Sequence, residues 1–177
     1  MPGIASCTFL LNSQVFSRLN YDGVNCTAFS GNGRHRSSPA SGNVPNDGCI
    51  PVGRYYIVDR QSGGRLGAIL DWIADRDVWF ALWRDDGAID DATFLDGVRR
   101  GEFRLHPKGP RRISLGCITL EYLNEFKALR AYLLAQPVSY IPKTMTRTYG
   151  TVSVGFFTDI LDQRYRSGSA SASTRTA

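Results

Sequence analysis

Cysteine and histidine are the side chains here that can act together as nucleophile and base near neutral pH, and one such pair lies close in sequence. His106 closes the run Phe103-Arg104-Leu105-His106 before Pro107, and Cys117 follows Gly116 eleven residues later. A thiol is a weak nucleophile until a base removes its proton or a cation lowers its pKa, and an imidazole within hydrogen-bond reach does both. A turn over residues 107–112 is expected to fold the histidine back beside the cysteine. Gly116 would allow tight backbone and an open approach for the attacked carbonyl. The amides of Gly116 and Cys117 are the candidate donors to the developing oxyanion. Thr119, read as the cap of a helix just after the cysteine, would add favourable peptide dipoles. The competing reading of residue type alone is a small buried structural cysteine.

The elements that must position this pair are short. Residues 7–11 (CTFLL) and 15–19 (VFSRL), separated by Asn12-Ser13-Gln14, predict a hairpin, and residues 26–29 a further strand. Residues 30–51 hold four glycines and three prolines and read as loop. GRYYIV at 53–58, VWFALW at 78–83 and FRLH at 103–106 are strand-like, and Trp72-Ile73 reads as a short helix or turn. ISLGCIT at 113–119 reads as a compact glycine-containing element. Leu120, Leu123, Phe126, Leu129 and Leu133 recur at helical spacing and Pro137 follows, which predicts one helix with Glu121, Asn124, Lys127 and Arg130 on its exposed face. YGTVSVGFF at 149–157 predicts late strands. The sum is a mainly β (α+β) domain with one main helix after the cysteine. A single domain is expected over residues 1–160, followed by a flexible tail over 161–177 that contains SGSASASTRTA.

Composition narrows the partners. The chain has 177 residues, 42 % of them hydrophobic, which suits one domain with a core and argues against wholesale disorder. No apolar run is long enough to span a membrane, so membrane insertion is not expected. The net charge is +5, but eighteen of the 21 basic residues are Arg, and eight of the sixteen acids fall between Asp71 and Asp96. Without a Lys/Arg block, nucleic acid is a poor partner, whereas Arg suits fixed contacts with carboxylates. The four cysteines, Cys7, Cys26, Cys49 and Cys117, are irregularly spaced, and the only histidines are His35 and His106. No metal site is expected from that spacing. If Cys117 reacts, at most two of the other three cysteines can pair with each other. The segment MPGIASCTFLLNSQVF has no positive n-region and its apolar stretch is broken at Asn12-Ser13, so export by a signal peptide is not expected.

FRLHP at 103–107 followed by SLGCITL at 114–120 resembles the catalytic segment of L,D-transpeptidases. The likeness is nearest to the transpeptidase-like effectors delivered by type VI secretion. AFSGNG at 28–33, IPVGRYYIVDR at 50–60, WFALWRDDG at 79–87, Ile141-Pro142 and YGTVSV at 149–154 resemble the same family, so the likeness spans about residues 7 to 155. It implies an L,D-transpeptidase-like fold with Cys117 as nucleophile, His106 as base, and Ser114 and Gly116 as the Ser and Gly of an S-x-G-C signature. It implies L,D-carboxypeptidase or D-amino acid exchange chemistry on peptidoglycan tetrapeptide stems, without a cofactor. It further implies a cognate immunity protein, type VI secretion components as partners, and action in the target-cell periplasm. Leu115 stands where housekeeping members carry a second histidine, which leaves His106 as the base. His35, in the loop GNGRHR, reads as solvated or substrate-facing.

A substrate with several carboxylates makes Arg34, Arg54 and Arg104 candidate clamps, while Arg36 reads as a surface residue. Arg104 is expected to share a strand face with His106. Ser30 and Gly33 are expected to shape a groove wall. Trp72, Trp79 and Trp83 suit core packing better than a sugar groove. Two rival functions remain: an inactive peptidoglycan-binding module, and a Cys-His hydrolase of another peptide or acyl substrate.

Overall fold

The computed structural model describes residues 4–60 and 79–156. Eight strands close a barrel in the order β1-β12-β4-β5-β8-β9-β3-β2. These strands are β1 (Ala5–Leu10), β2 (Ser17–Tyr21), β3 (Val24–Phe29), β4 (Gly53–Asp59), β5 (Phe80–Arg84), β8 (Arg104–Pro107), β9 (Ile118–Leu120) and β12 (Gly150–Gly155). Two small hairpins lie outside it: β6 (Ala92–Leu95) with β7 (Val98–Gly101), and β10 (Ser139–Tyr140) with β11 (Arg147–Thr148). The helix α1 (Leu123–Leu134) is the one α-helix among the described residues. The mainly β expectation with one helix after the cysteine agrees with this architecture.

Period-2 alternation builds the barrel wall. Phe9, Leu19, Cys26, Ile57, Leu82, Leu105, Ile118, Leu120 and Val152 point inward into one core, which the Phe126, Leu129 and Leu133 face of α1 joins. A second apolar cluster of Tyr56, Val58, Ala81, Trp83 and Ile141 lies on the outer side of β4 and β5. The hairpin read at 7–11 and 15–19 forms as antiparallel β1 and β2. The glycine-rich stretch 30–51 is loop with two short 3-10 turns, Gly33–His35 and Pro39–Ser41.

The helix start requires correction. Leu120 belongs to β9 and is paired with Ala28 and Pro107, so it is an inward strand residue. Thr119 is also in β9 and caps nothing; Tyr122 occupies the N-cap position without a side-chain hydrogen bond. Leu123 is exposed, whereas Glu121, expected on the solvent face of the helix, is buried just before it. A polar-apolar alternation through Cys117-Ile118-Thr119-Leu120-Glu121 signals this strand, but the leucine spacing overlaps it and mimics a longer helix. The hairpin β6–β7 was not anticipated. The expectations for Trp72-Ile73, Val78, Phe157 and the tail lie outside the described residues.

Candidate active site

The strands β8 and β9 run parallel, with Leu105 opposite Ile118 and His106 opposite Thr119. Cys117 immediately precedes β9, and that register places it opposite Arg104 on the same outer face as His106. The offset of one strand and two residues puts the Cys117 and His106 Cα atoms about 8 Å apart by strand geometry. The turn at 107–112 thus serves as a parallel crossover, and the two side chains meet on one side of a two-strand ribbon. No hydrogen bond joins the thiol to the imidazole. Instead Sγ lies 4.0 Å from the Glu102 carbonyl.

The imidazole is held in one tautomer. Its Nδ1 donates to the Pro107 carbonyl at 2.7 Å, and since a carbonyl only accepts, Nδ1 carries the proton. Nε2 is therefore the lone pair, and the fully buried Thr119 hydroxyl donates to it at 3.3 Å. Trp79 stacks on the ring with centroids 4.3 Å apart, and the Arg60 guanidinium lies 5.4 Å from the Trp79 centroid. A backbone carbonyl thus orients His106. Ser114 donates its hydroxyl to the Cys117 carbonyl at 2.7 Å and so braces the turn at Cys117.

Burial sets the protonation states. Desolvation pulls the His106 pKa down to about 4, against the hydrogen bond to Pro107. Desolvation also pushes the Cys117 thiol up to about 11, opposed by a backbone hydrogen bond from Arg104 and by its charge. The resting pair is consequently a neutral thiol and a neutral imidazole. An ionised thiol that labels well below pH 8.5 in the free protein is not what these surroundings produce.

Two buried guanidiniums flank the cysteine. Arg104 is engaged by both oxygens of Asp91, at 2.7 and 2.6 Å, and is only 3 % exposed. It is on the expected face with His106, where Asp91 and the Phe103 carbonyl already engage its two terminal nitrogens, while its Nε is buried without a partner. Arg100, not picked out from the sequence, donates to the carbonyls of Gly42, Gly48 and Cys49 and interacts electrostatically with Cys117. Gly116 makes room for it: a Cβ there would lie 2.7 Å from Arg100 Nη2 and 2.9 Å from Phe103, and its φ of +110° is one that side chains resist. The Arg100 and Asp91 roles depend on loop contacts far apart in sequence, which no local motif announces.

The other expected substrate contacts are elsewhere or occupied. Ser30 is fully buried and its Oγ accepts the Ile50 amide at 2.7 Å, so it fastens the loop instead of facing a groove. Gly33 and Arg34 are exposed on the first 3-10 turn, where Arg34 Nε donates to His35 Nε2 at 3.2 Å. The other His35 nitrogen meets Ser41 Oγ at 2.9 Å. Arg54 is exposed on β4, 4.0 Å from Asp85. Arg36, read as a plain surface residue, lies over the Phe29 ring at 4.2 Å and donates to the Arg112 carbonyl at 2.7 Å. Trp83 packs in the outer apolar cluster. All four cysteines are free thiols, three of them buried. Among the described residues no group of three His, Cys, Asp or Glu is placed to hold a metal ion. No helix among them is long and apolar enough to cross a membrane.

The family profile of the Tlde1 domain matches residues 24–144, a span that contains both His106 and Cys117. The chain belongs to this family of type VI secretion effectors, which makes it a secreted protein that acts in target cells. Membership implies a cognate immunity protein and the secretion machinery as partners. No curated protein and no solved structure matches the chain.

Proposed function

We propose that this effector is an antibacterial, L,D-transpeptidase-like enzyme that attacks the peptide stems of peptidoglycan in the periplasm of the target cell, with Cys117 as nucleophile and His106 as base. The observation that carries the reading is the tautomer: His106 presents a buried Nε2 lone pair on the strand face where Cys117 emerges. The resemblance of the segments around both residues to L,D-transpeptidases supplies the substrate class.

A neutral pair calls for general-base attack and not for a preformed ion pair. When a stem enters, the thiol proton passes to Nε2 as sulfur bonds to the carbonyl carbon joining diaminopimelate to the terminal D-alanine. The Gly116 and Cys117 amides receive the oxyanion, on a turn braced by Ser114. As the carbon–nitrogen bond breaks, the imidazolium returns its proton to the departing amine. Water or the amine of a free D-amino acid then attacks the thioester, gives a proton to Nε2, and sulfur leaves and is reprotonated. Arg104 and Arg100 add positive potential around the sulfur during this sequence.

Because His106 must be unprotonated, turnover is expected to fall as pH drops through about 4, and to hold through neutral pH. His106→Gln should lower kcat/KM by about 10²- to 10⁴-fold. A variant with full activity would remove His106 from the mechanism. One observation favours the rival binding module: Nε2 is engaged by Thr119 and not by the thiol. Alkylation of Cys117 followed against pH separates the two. The enzyme reading expects His106, as base on the thiol, to raise the labelling rate of the free protein above pH 4 and His106→Gln to abolish that rise, whereas an inert module labels alike in both.

A further inference from the structure

Arg104 is paired with Asp91, and a second set of cations lies on the same face two rows further along. The register of the outer face defines its place. One row across the strands holds Arg104 and Cys117, the next Trp79, His106, Thr119 and Phe29, and the next Lys108, Glu121 and Thr27. Successive rows are separated by about 7 Å, two residues of strand rise. Nucleophile, base and the Lys108 row therefore lie in line along the ribbon.

Glu121, 6 % exposed, gathers the cations of that third row. Its Oε1 is bound by Lys108 Nζ and lies 3.4 Å from Arg112 Nη2. Arg36 adds a third positive charge, with its Nη2 on the Arg112 carbonyl. The carboxylates of this row are Glu121, which contacts the cations, and Glu125, which accepts the Thr27 amide at 2.7 Å. Three cations against two carboxylates leave an excess of positive charge. Lys108 and Arg112 bring it to solvent, with side chains 28 % and 62 % exposed. The turn presents Arg112 at a φ of +51°, a left-handed conformation uncommon outside glycine.

We propose that Lys108 and Arg112, organised by Glu121, bind the free α-carboxylate of the amino acid that leaves in hydrolysis or enters in exchange. The inference rests on the reaction proposed above and adds to it a rule of substrate choice. The departing nitrogen must lie at His106 to receive its proton. Its carboxylate carbon is about 2.5 Å beyond, across the N–Cα–C link. With the scissile carbonyl over Cys117, that carboxylate points along the ribbon toward the third row, where a flexible ammonium and a guanidinium fork can meet it. A bond inside a longer peptide would put a neutral amide there instead. The site would thereby make the enzyme read chain ends.

The test compares a tetrapeptide stem with the same stem amidated at its terminal carboxyl group, by kcat/KM on the full chain. Wild type should prefer the free acid by about tenfold or more, the weight of a charge-assisted contact. Lys108→Gln/Arg112→Gln should level the two substrates, and Arg112→Gln alone, which keeps the Lys108–Glu121 pair, should lower the preference part of the way. Equal rates on both substrates in wild type, or an undiminished preference in the double variant, would overturn the carboxylate site and leave the reaction standing. If neither stem is cleaved, the reaction falls, and binding of both peptides to Cys117→Ala decides the site by itself. Tighter binding of the acid, lost in the double variant, supports it; equal binding refutes it.

Discussion

The inner and outer faces of β5, β8 and β9 are built from alternate residues of the same short segments, yet both are buried. Inside, Phe80, Leu82, Leu105, Ile118 and Leu120 pack as an ordinary apolar core. Outside, Trp79, Arg104, His106 and Thr119 are also almost wholly covered, but the last three are held by named partners, Asp91, the Pro107 carbonyl and the His106 ring, with Arg104 Nε left unpaired. Burial on the inside lowers the free energy of the fold through apolar area. Burial on the outside instead fixes a tautomer and keeps thiol and imidazole neutral. Side-chain parity along these three strands thus separates the apolar core from the face of the proposed site.

The sharpest break in that comparison is a matched truncation on each face. Leu105→Ala, inside, should lower unfolding free energy by about 2–5 kcal/mol. Cys117→Ala, outside, should cost less than about 1 kcal/mol by denaturant titration while removing the thiol. Similar losses at both positions would mean that the outer face is structural as well.

Acid sharpens it next. The folded His106 pKa of about 4 lies below the usual value of 6.5, so the unfolded chain binds more protons between these pH values. Stability should therefore be complete above pH 6.5, fall by up to about 3 kcal/mol as pH drops to 4, and level off below. His106→Gln should flatten that window, as read by denaturant midpoints across pH. The thiols act with the opposite sign. Cys26, Cys49 and Cys117 are pushed up by burial to about 11, so stability should decline as pH rises above 9.

Gly116→Ala forces a side chain into a left-handed position against Arg100 and Phe103, and should cost about 2–3 kcal/mol together with most of the activity. Asp91→Asn leaves the Arg104 charge buried without its carboxylate. Asp91 is about one-third exposed, which reduces the penalty to about 1–2 kcal/mol by thermal or denaturant unfolding. A neutral result there would show that the guanidinium has another anchor.

Strand alternation made most of the barrel legible in the sequence, and the resemblance around His106 and Cys117 named them as the candidate pair. The site around them was less legible. The leucine spacing at Leu120 and Leu123 fits a helix, but Leu120 is an inward strand residue, and only the alternation through Glu121 distinguishes the two. Arg104 was assigned to the right face, but its pairing was not foreseen, because Asp91 reaches it from the loop before an unanticipated hairpin. Arg100 was invisible for the same reason: its partners are carbonyls of Gly42, Gly48 and Cys49, more than fifty residues away. Carbonyl partners carry no side-chain signature, so no motif search finds them.

The central claim is best tested by mass spectrometry of purified muropeptides incubated with wild-type protein and with Cys117→Ala, with and without an added D-amino acid. The account predicts loss of one alanine from tetrapeptide stems, or its replacement by the added D-amino acid, in wild type alone. Unchanged stems with a folded wild-type protein, or the same products from the alanine variant, would contradict it.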